Sequence, residues 1–131
     1  MSATDVEQVR TAATHLIERF AAFDTDGYFA CFAPEASFVF HTTDRVLAPR
    51  SDYEREWTGW IDAGFAVLSC ASHDQRIDMV TSDVAVFTHR VLTTVADADG
   101  RHDLVERETI VFRRKPSGAW LAVHEHLSPM P

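Results

Sequence analysis

The chain has 131 residues, 46% of them hydrophobic, with 12 Lys and Arg against 20 Asp and Glu for a net charge of −8. That length and composition fit one domain, residues 1–131, with one core. An acidic surface with no basic run repels nucleic acid and anionic membrane, so neither is an expected partner. The apolar stretches also fall short of the roughly 20 residues of a membrane-spanning helix.

The opening MSATDVEQVR lacks the basic and apolar regions of a leader peptide. Cys31 and Cys70 stand apart, without paired spacing. A cytoplasmic protein with two reduced thiols is expected, with a bond between them left open.

In chain order, Val6, Val9, Ala13, Leu16, Ile17, Phe20 and Phe23 recur at three and four, one face of a helix. DTDG at 24–27 breaks it, and Asp24 or Asp26 caps the next helix. YFACFA, 28–33, is read as that short second helix, ended before Pro34. ASFVFH, 36–41, is rich in aromatic and β-branched residues and predicts a strand. SDYEREWTGWIDAG, 51–64, opens with Ser51 three residues before Glu54, a capping-box spacing. Tyr53, Trp57, Trp60 and Ile61 then share a helical face, and Gly64 closes it.

From Phe65 the period becomes two. Four strands are expected, at about 66–80, 83–96, 102–114 and 119–128, joined by TSD, DG and KPSG turns. Helices followed by a meander predict an α+β layer, with helices on one face of an antiparallel sheet.

The last strand, WLAVHEHLSP, poses a choice. Neighbours on a strand face opposite ways, so Glu125 and the pair His124 and His126 cannot share a side. With Asp99-Gly100 and 115–118 as the loops, Val91 sits opposite Glu108, Glu108 opposite Glu125, Ile110 opposite Val123 and Phe112 opposite Leu121. One face then carries Phe87, His89, Val91, Ile110, Phe112, Leu121, Val123 and Leu127, with Glu108 and Glu125 among them. It is the more apolar face and is expected to meet the helices. The other carries Arg107, Thr109, Arg113, Trp120, Ala122, His124 and His126. A one-residue slip in either loop flips its strand.

Two carboxyls opposed on an apolar face do not both ionise easily, and burial raises at least one of them. With His89 sharing the proton, the trio is a candidate acid/base group. The alternative is a structural role, with the glutamates paired to Arg90 or Arg107.

The element order, FAPEASFVFH, and above all RETIVFRRKPSGAWLAVHEHLSP resemble the SnoaL-like branch of the NTF2-like superfamily, over essentially the whole chain. The resemblance implies a cone-shaped, cystatin-like α+β fold. Its curved antiparallel sheet would be wrapped by about three N-terminal helices around a pocket. It also implies a homodimer through the outer sheet face, with Arg107, Thr109, Trp120, His124 and His126 at the contact. The superfamily holds ketosteroid isomerases, polyketide cyclases, dehydratases, epoxide hydrolases and domains without chemistry, and fold does not choose among them. Its isomerase pattern has a Tyr on the first helix, an Asp on the first strand and an acid on the penultimate strand. Here those positions are Phe20, Phe40 and Glu108, so only the acid survives.

The expected catalytic residues are Glu108, Glu125 and His89. The expected ligand-binding wall is Trp57, Trp60, Tyr53, Phe40, Phe87, Val91, Ile110, Val123 and Leu127. His41 is either a rim base or a solvated strand end. No metal or cofactor is expected, because HEH does not match a zinc spacing such as H-E-x-x-H. The expected function is a small-molecule pocket protein, acting as a cofactor-free cyclase, dehydratase or isomerase on a hydrophobic or aromatic compound. The alternative is a non-catalytic ligand-binding or dimerisation domain.

Overall fold

The computed structural model describes residues 3–131, so the first two residues of the expected 1–131 domain lie outside the described residues. Helix α1, Ala3–Ala21, buries Val9, Ala13 and Leu16, and Ile17, Phe20 and Phe23 pack at the edge of the same core. The three-and-four spacing makes that stripe.

Helix α2, Thr25–Phe29, begins and ends earlier than the expected 28–33. Asp24 is its cap, accepting from the Gly27 N–H at 3.0 Å. A Cβ on residue 27 would fall 2.3 Å from Asp24 Oδ2, so this cap needs glycine. Strand β1, Phe32–Phe40, therefore claims Phe32 and Ala33, which were read as helix, and runs through Pro34. It can do so because β1 is an edge strand, where a missing N–H donor is tolerated. Its pairing is irregular between Phe32 and Ser37, the stretch that holds the proline.

Helix α3, Arg50–Asp62, buries Tyr53 and Trp57. The expected capping box is not formed: Pro49 is the N-cap, without a side-chain bond, and Ser51 lies inside the first turn. Asp52 takes over, accepting from the Ala48 N–H at 3.4 Å and from Arg45 at 2.5 Å. A carboxylate there also suits the positive end of the helix dipole. Ile61, expected on the packed face, is 37% exposed.

Strands β2 (Ala66–Thr81), β3 (Val84–Asp97), β4 (Gly100–Arg114) and β5 (Trp120–Pro129) form the meander. The sheet order is β1-β5-β4-β3-β2. The four-strand meander is antiparallel, but β1 joins β5 in parallel, so the sheet is mixed. No hairpin links β1 to β5, so nothing forces them to run oppositely. Bulges between Val67 and Ser69, His73 and Arg76, and Met79 and Thr81 break the β2–β3 ladder. Bulges bend and twist a strand, and the sheet curves around the helices. No helix among the described residues is long and apolar enough to cross a membrane.

Both hairpin registers differ from the count. Asp97 pairs with Gly100, so Ala98 and Asp99 form the loop. His89 therefore opposes Glu108, Val91 opposes Glu106, and Phe87 opposes Ile110. The shift is two residues, which preserves every side chain's face. At the next hairpin Arg114 pairs with Trp120 and Phe112 with Ala122, a shift of one. That turns Trp120 and Ala122 inward and Leu121 outward, opposite to expectation. Trp120 is 8% exposed, and its Nε1 donates to Gln8 Oε1 on α1 at 3.1 Å. It does not belong to the outer face. A bulge then leaves Val123 without a partner, since Val111 pairs with His124 while Phe112 pairs with Ala122. Beyond it Ile110 opposes Glu125 and Glu108 opposes Leu127. Glu125 thus faces inward, with His124 and His126 outward.

Candidate functional site

The concave side of the sheet and the helices enclose a cavity of about 510 Å³, within the usual range of small-molecule pockets. Helix α1 supplies Leu16, Ile17 and Phe20, and α3 supplies Tyr53, Trp57 and Trp60. Phe40, Val91, Leu127, His89, Glu108 and Glu125 line it as expected. Phe87 and Ile110 do not: both are wholly buried in the core beneath the wall. Val123 does not either, because the bulge turns it into a small outer groove with Leu121 and Arg113. Tyr28, Cys70, Thr93 and Glu106 line the cavity without having been picked from the sequence.

A polar row crosses the cavity floor. His89 is buried between β2 and β4, with Nδ1 2.6 Å from Ser72 Oγ and Nε2 2.7 Å from Glu108 Oε1. Gln75 Nε2 donates to Ser72 Oγ at 2.9 Å. Ser72 can then donate its own proton to Nδ1, which leaves Nε2–H to donate to Glu108.

Glu125 is 3% exposed, and its Oε2 has no hydrogen-bond partner among the described residues. Burial pushes its carboxyl well above the ordinary glutamate range. The charge of Glu108, a hydrogen bond to Glu108 and the charge of Glu106 push the same way, while a bond from Tyr28 opposes them. Two carboxyls can share a hydrogen bond only when one carries a proton, and Glu125 is the one that holds it. The Tyr28 and Tyr53 hydroxyls are 3.0 Å apart. Burial, then the charge of Glu125, raises both phenols well above their usual value, so both remain protonated donors. Burial pushes the Cys70 thiol up to about 11, which makes it no nucleophile at neutral pH.

Glu106 is a second buried carboxyl in the wall, held by His41 Nε2 at 2.5 Å. His41 follows Val39 by two residues, so strict alternation would put both on one side. Strand β1 ends at Phe40, so alternation no longer governs it, and its ring turns to the inner side. The signal for Glu106 was its spacing of two from Glu108, which puts both on one face.

On the outer face Ser37 Oγ lies 2.8 Å from His124 Nδ1, and the His124 and His126 rings are 6.3 Å apart. Burial, then the charge of His126, lowers the His124 imidazole below its usual value. No group of three or more His, Cys, Asp or Glu converges as a metal site among the described residues.

No curated protein matches the chain. Among solved structures, a ketosteroid isomerase-like protein from Erwinia carotovora atroseptica superposes with a TM-score of 0.87 over 99% of both chains, at 11% identity. An NTF2-like protein of unknown function in nutrient uptake from Rhodospirillum rubrum gives 0.80, over 94% of this chain and 98% of that one, at 19% identity. A Catenulispora acidiphila protein in complex with S-DNPA gives 0.77, over 96% and 93%, at 15% identity. At such identities the likeness is one of fold. Residues 9–131 match the SnoaL-like domain, and with an NTF2-like fold around its cavity the chain belongs to the SnoaL-like family.

Proposed function

We propose that the protein is a cofactor-free acid/base enzyme acting on a small hydrophobic or aromatic compound held in the cavity, by isomerisation, dehydration or cyclisation. One observation carries this reading. Glu125, buried and with an unpartnered oxygen, faces the cavity beside Glu108. The two carboxyls hold one proton between them. In the step, Glu108 takes a proton from a substrate C–H while Glu125 gives its own to a carbonyl or departing hydroxyl oxygen. The pair ends with its single proton moved from one carboxyl to the other, ready to act in reverse on the next atom. His89 Nε2–H holds Glu108 in place throughout. Protons pass only between substrate and the two carboxyls, and the step is redox-neutral, so it calls for no redox cofactor. The relatives named as ketosteroid isomerase-like and as bound to S-DNPA support a small-molecule pocket.

A second reading, ligand binding without turnover, is favoured by Phe20 and Phe40 standing where the isomerases carry Tyr and Asp. The two separate by α-proton exchange of an aryl methyl ketone in D2O. The enzyme reading expects catalysed exchange, slowed at least about 100-fold in Glu108→Gln, a typical weight for a general base. Saturable binding of the ketone with no catalysed exchange would leave a binder.

We further infer a homodimer through the outer sheet face. Arg107, Thr109, His124 and His126 lie there, with Val105 46% exposed beside them. The free thiols Cys31 and Cys70 support a reducing, cytoplasmic setting.

A further inference from the structure

The formal charges of the cavity have one sign. Asp97, Glu106, Glu108 and Glu125 line it, and no Lys or Arg among the described residues does. Several arginines are engaged elsewhere: Arg45 with Asp52 and Glu56, Arg50 with Glu54, Arg90 with Asp74, and Arg114 with Asp83. Of the cavity's acids, Glu106 is bonded by His41, which lies outside the cavity lining, and Glu108 by His89 within it. Among the described residues Glu125 has neither a histidine nor a guanidinium, and its Oε2 has no donor. A buried oxygen of this kind costs free energy until a donor reaches it. The surrounding wall is aromatic, with Tyr53, Trp57, Trp60 and Phe40. Such rings accept an apolar body, and their faces also attract a cation.

We propose that the cavity takes an apolar or aromatic compound carrying a basic nitrogen, whose protonated amine donates to Glu125 Oε2 on the cavity floor. This rests on the reading of the cavity as a small-molecule site and names the class of its ligand. The proton count follows. A neutral amine takes the proton from Glu125, forming an N–H bond as the O–H bond breaks, and nothing is exchanged with solvent. An amine that arrives already protonated meets a carboxyl that also holds a proton, so the ion pair forms only as about one proton leaves for the solvent. The groups facing Glu125 are Glu106 and Glu108 from β4, His89 from β3, Cys70 from β2, Tyr28 from α2 and Tyr53 from α3. The phenols and the thiol stay protonated near neutrality, so the proton released comes from the group formed by Glu125, Glu108 and His89.

The test is calorimetric titration of the full chain at pH 7 with three probes of one shape: 2-naphthylmethylamine, 2-naphthylmethanol and 2-naphthoate. Each is run in phosphate and in Tris, whose ionisation enthalpies differ. The amine is expected to bind at least about tenfold more tightly than the alcohol, the weight of a charge-assisted hydrogen bond. Its binding enthalpy should change with buffer as release of roughly one proton requires, and naphthoate should not bind. In Glu125→Gln, checked for its fold by circular dichroism, amine and alcohol should converge and the buffer dependence should vanish. The wild-type comparison stands without the variant. Equal binding of amine and alcohol, or amine binding without proton release, overturns the ligand class and leaves the pocket reading in place. No binding by any probe overturns both.

Discussion

Burial keeps a proton on Glu125 in the folded chain, whereas the same carboxyl in the unfolded chain ionises near roughly 4.3. Between that value and the raised folded one, the folded state binds more protons than the unfolded state. Stability must then fall as pH rises. The contribution is complete below about pH 4.3 and is lost as pH climbs toward the folded value, with a slope of up to about 1.4 kcal/mol per pH unit. Glu125→Gln should remove that slope, so urea unfolding between about pH 4.5 and 7.5 should be flatter in the variant and its stability higher at the upper end. An unchanged slope would mean that Glu125 ionises as a surface glutamate does. The sequence made this residue legible, along with Glu108 and His89, because apolar neighbours fix which way those positions face. Glu106 sits in HDLVERE, where polar residues occupy both faces and no apolar pattern marks the inner one.

Helices α1 and α3 were legible at the scale of elements because each has a long apolar stripe with a period near 3.6. The α2–β1 boundary was not, because YFACFA is a continuous apolar run that fits helix and strand alike. Strand β5 holds two departures from the count that cancel. The turn shifts its register by one, and the bulge at Val123 shifts it again, so Glu125 faces inward as expected, while Trp120 turns inward and Val123 outward against expectation. A residue count assumes an unbroken ladder, and a bulge leaves no mark in it. Trp120 then acts as a clamp: its indole bonds Gln8, and the Arg114 guanidinium lies 5.6 Å above its ring. Trp120→Ala should cost about 3–5 kcal/mol by denaturant unfolding, and Leu121→Ala on the outer side far less. After α3, Gly64 holds φ at +102°, and a Cβ there would meet only ordinary contacts. Gly64→Ala should therefore cost about 1–2 kcal/mol through backbone strain alone.

For the whole molecule, periodicity conveyed the layers because burial repeats along every element. The reaction was not legible, because chemistry sits on three or four positions with no period of their own. Assembly is open to a direct trial. Thr109 and His126 are direct partners across β4 and β5 on the outer face, and Thr109→Arg combined with His126→Arg should convert a dimer to monomers by light scattering. A monomeric wild type would refute that interface. The polar row on the cavity floor has its own consequence at this scale. From Glu125 it runs through Glu108, His89 and Ser72 to Gln75, which is exposed on β2. The row thus reaches an exposed side chain on the edge strand β2, and hydrogen isotopes can reach the floor along it without passing through the cavity. A compound that plugs the mouth should leave deuterium uptake at Glu125 fast in the wild type. Ser72→Ala should slow that uptake in the filled protein far more than in the empty one.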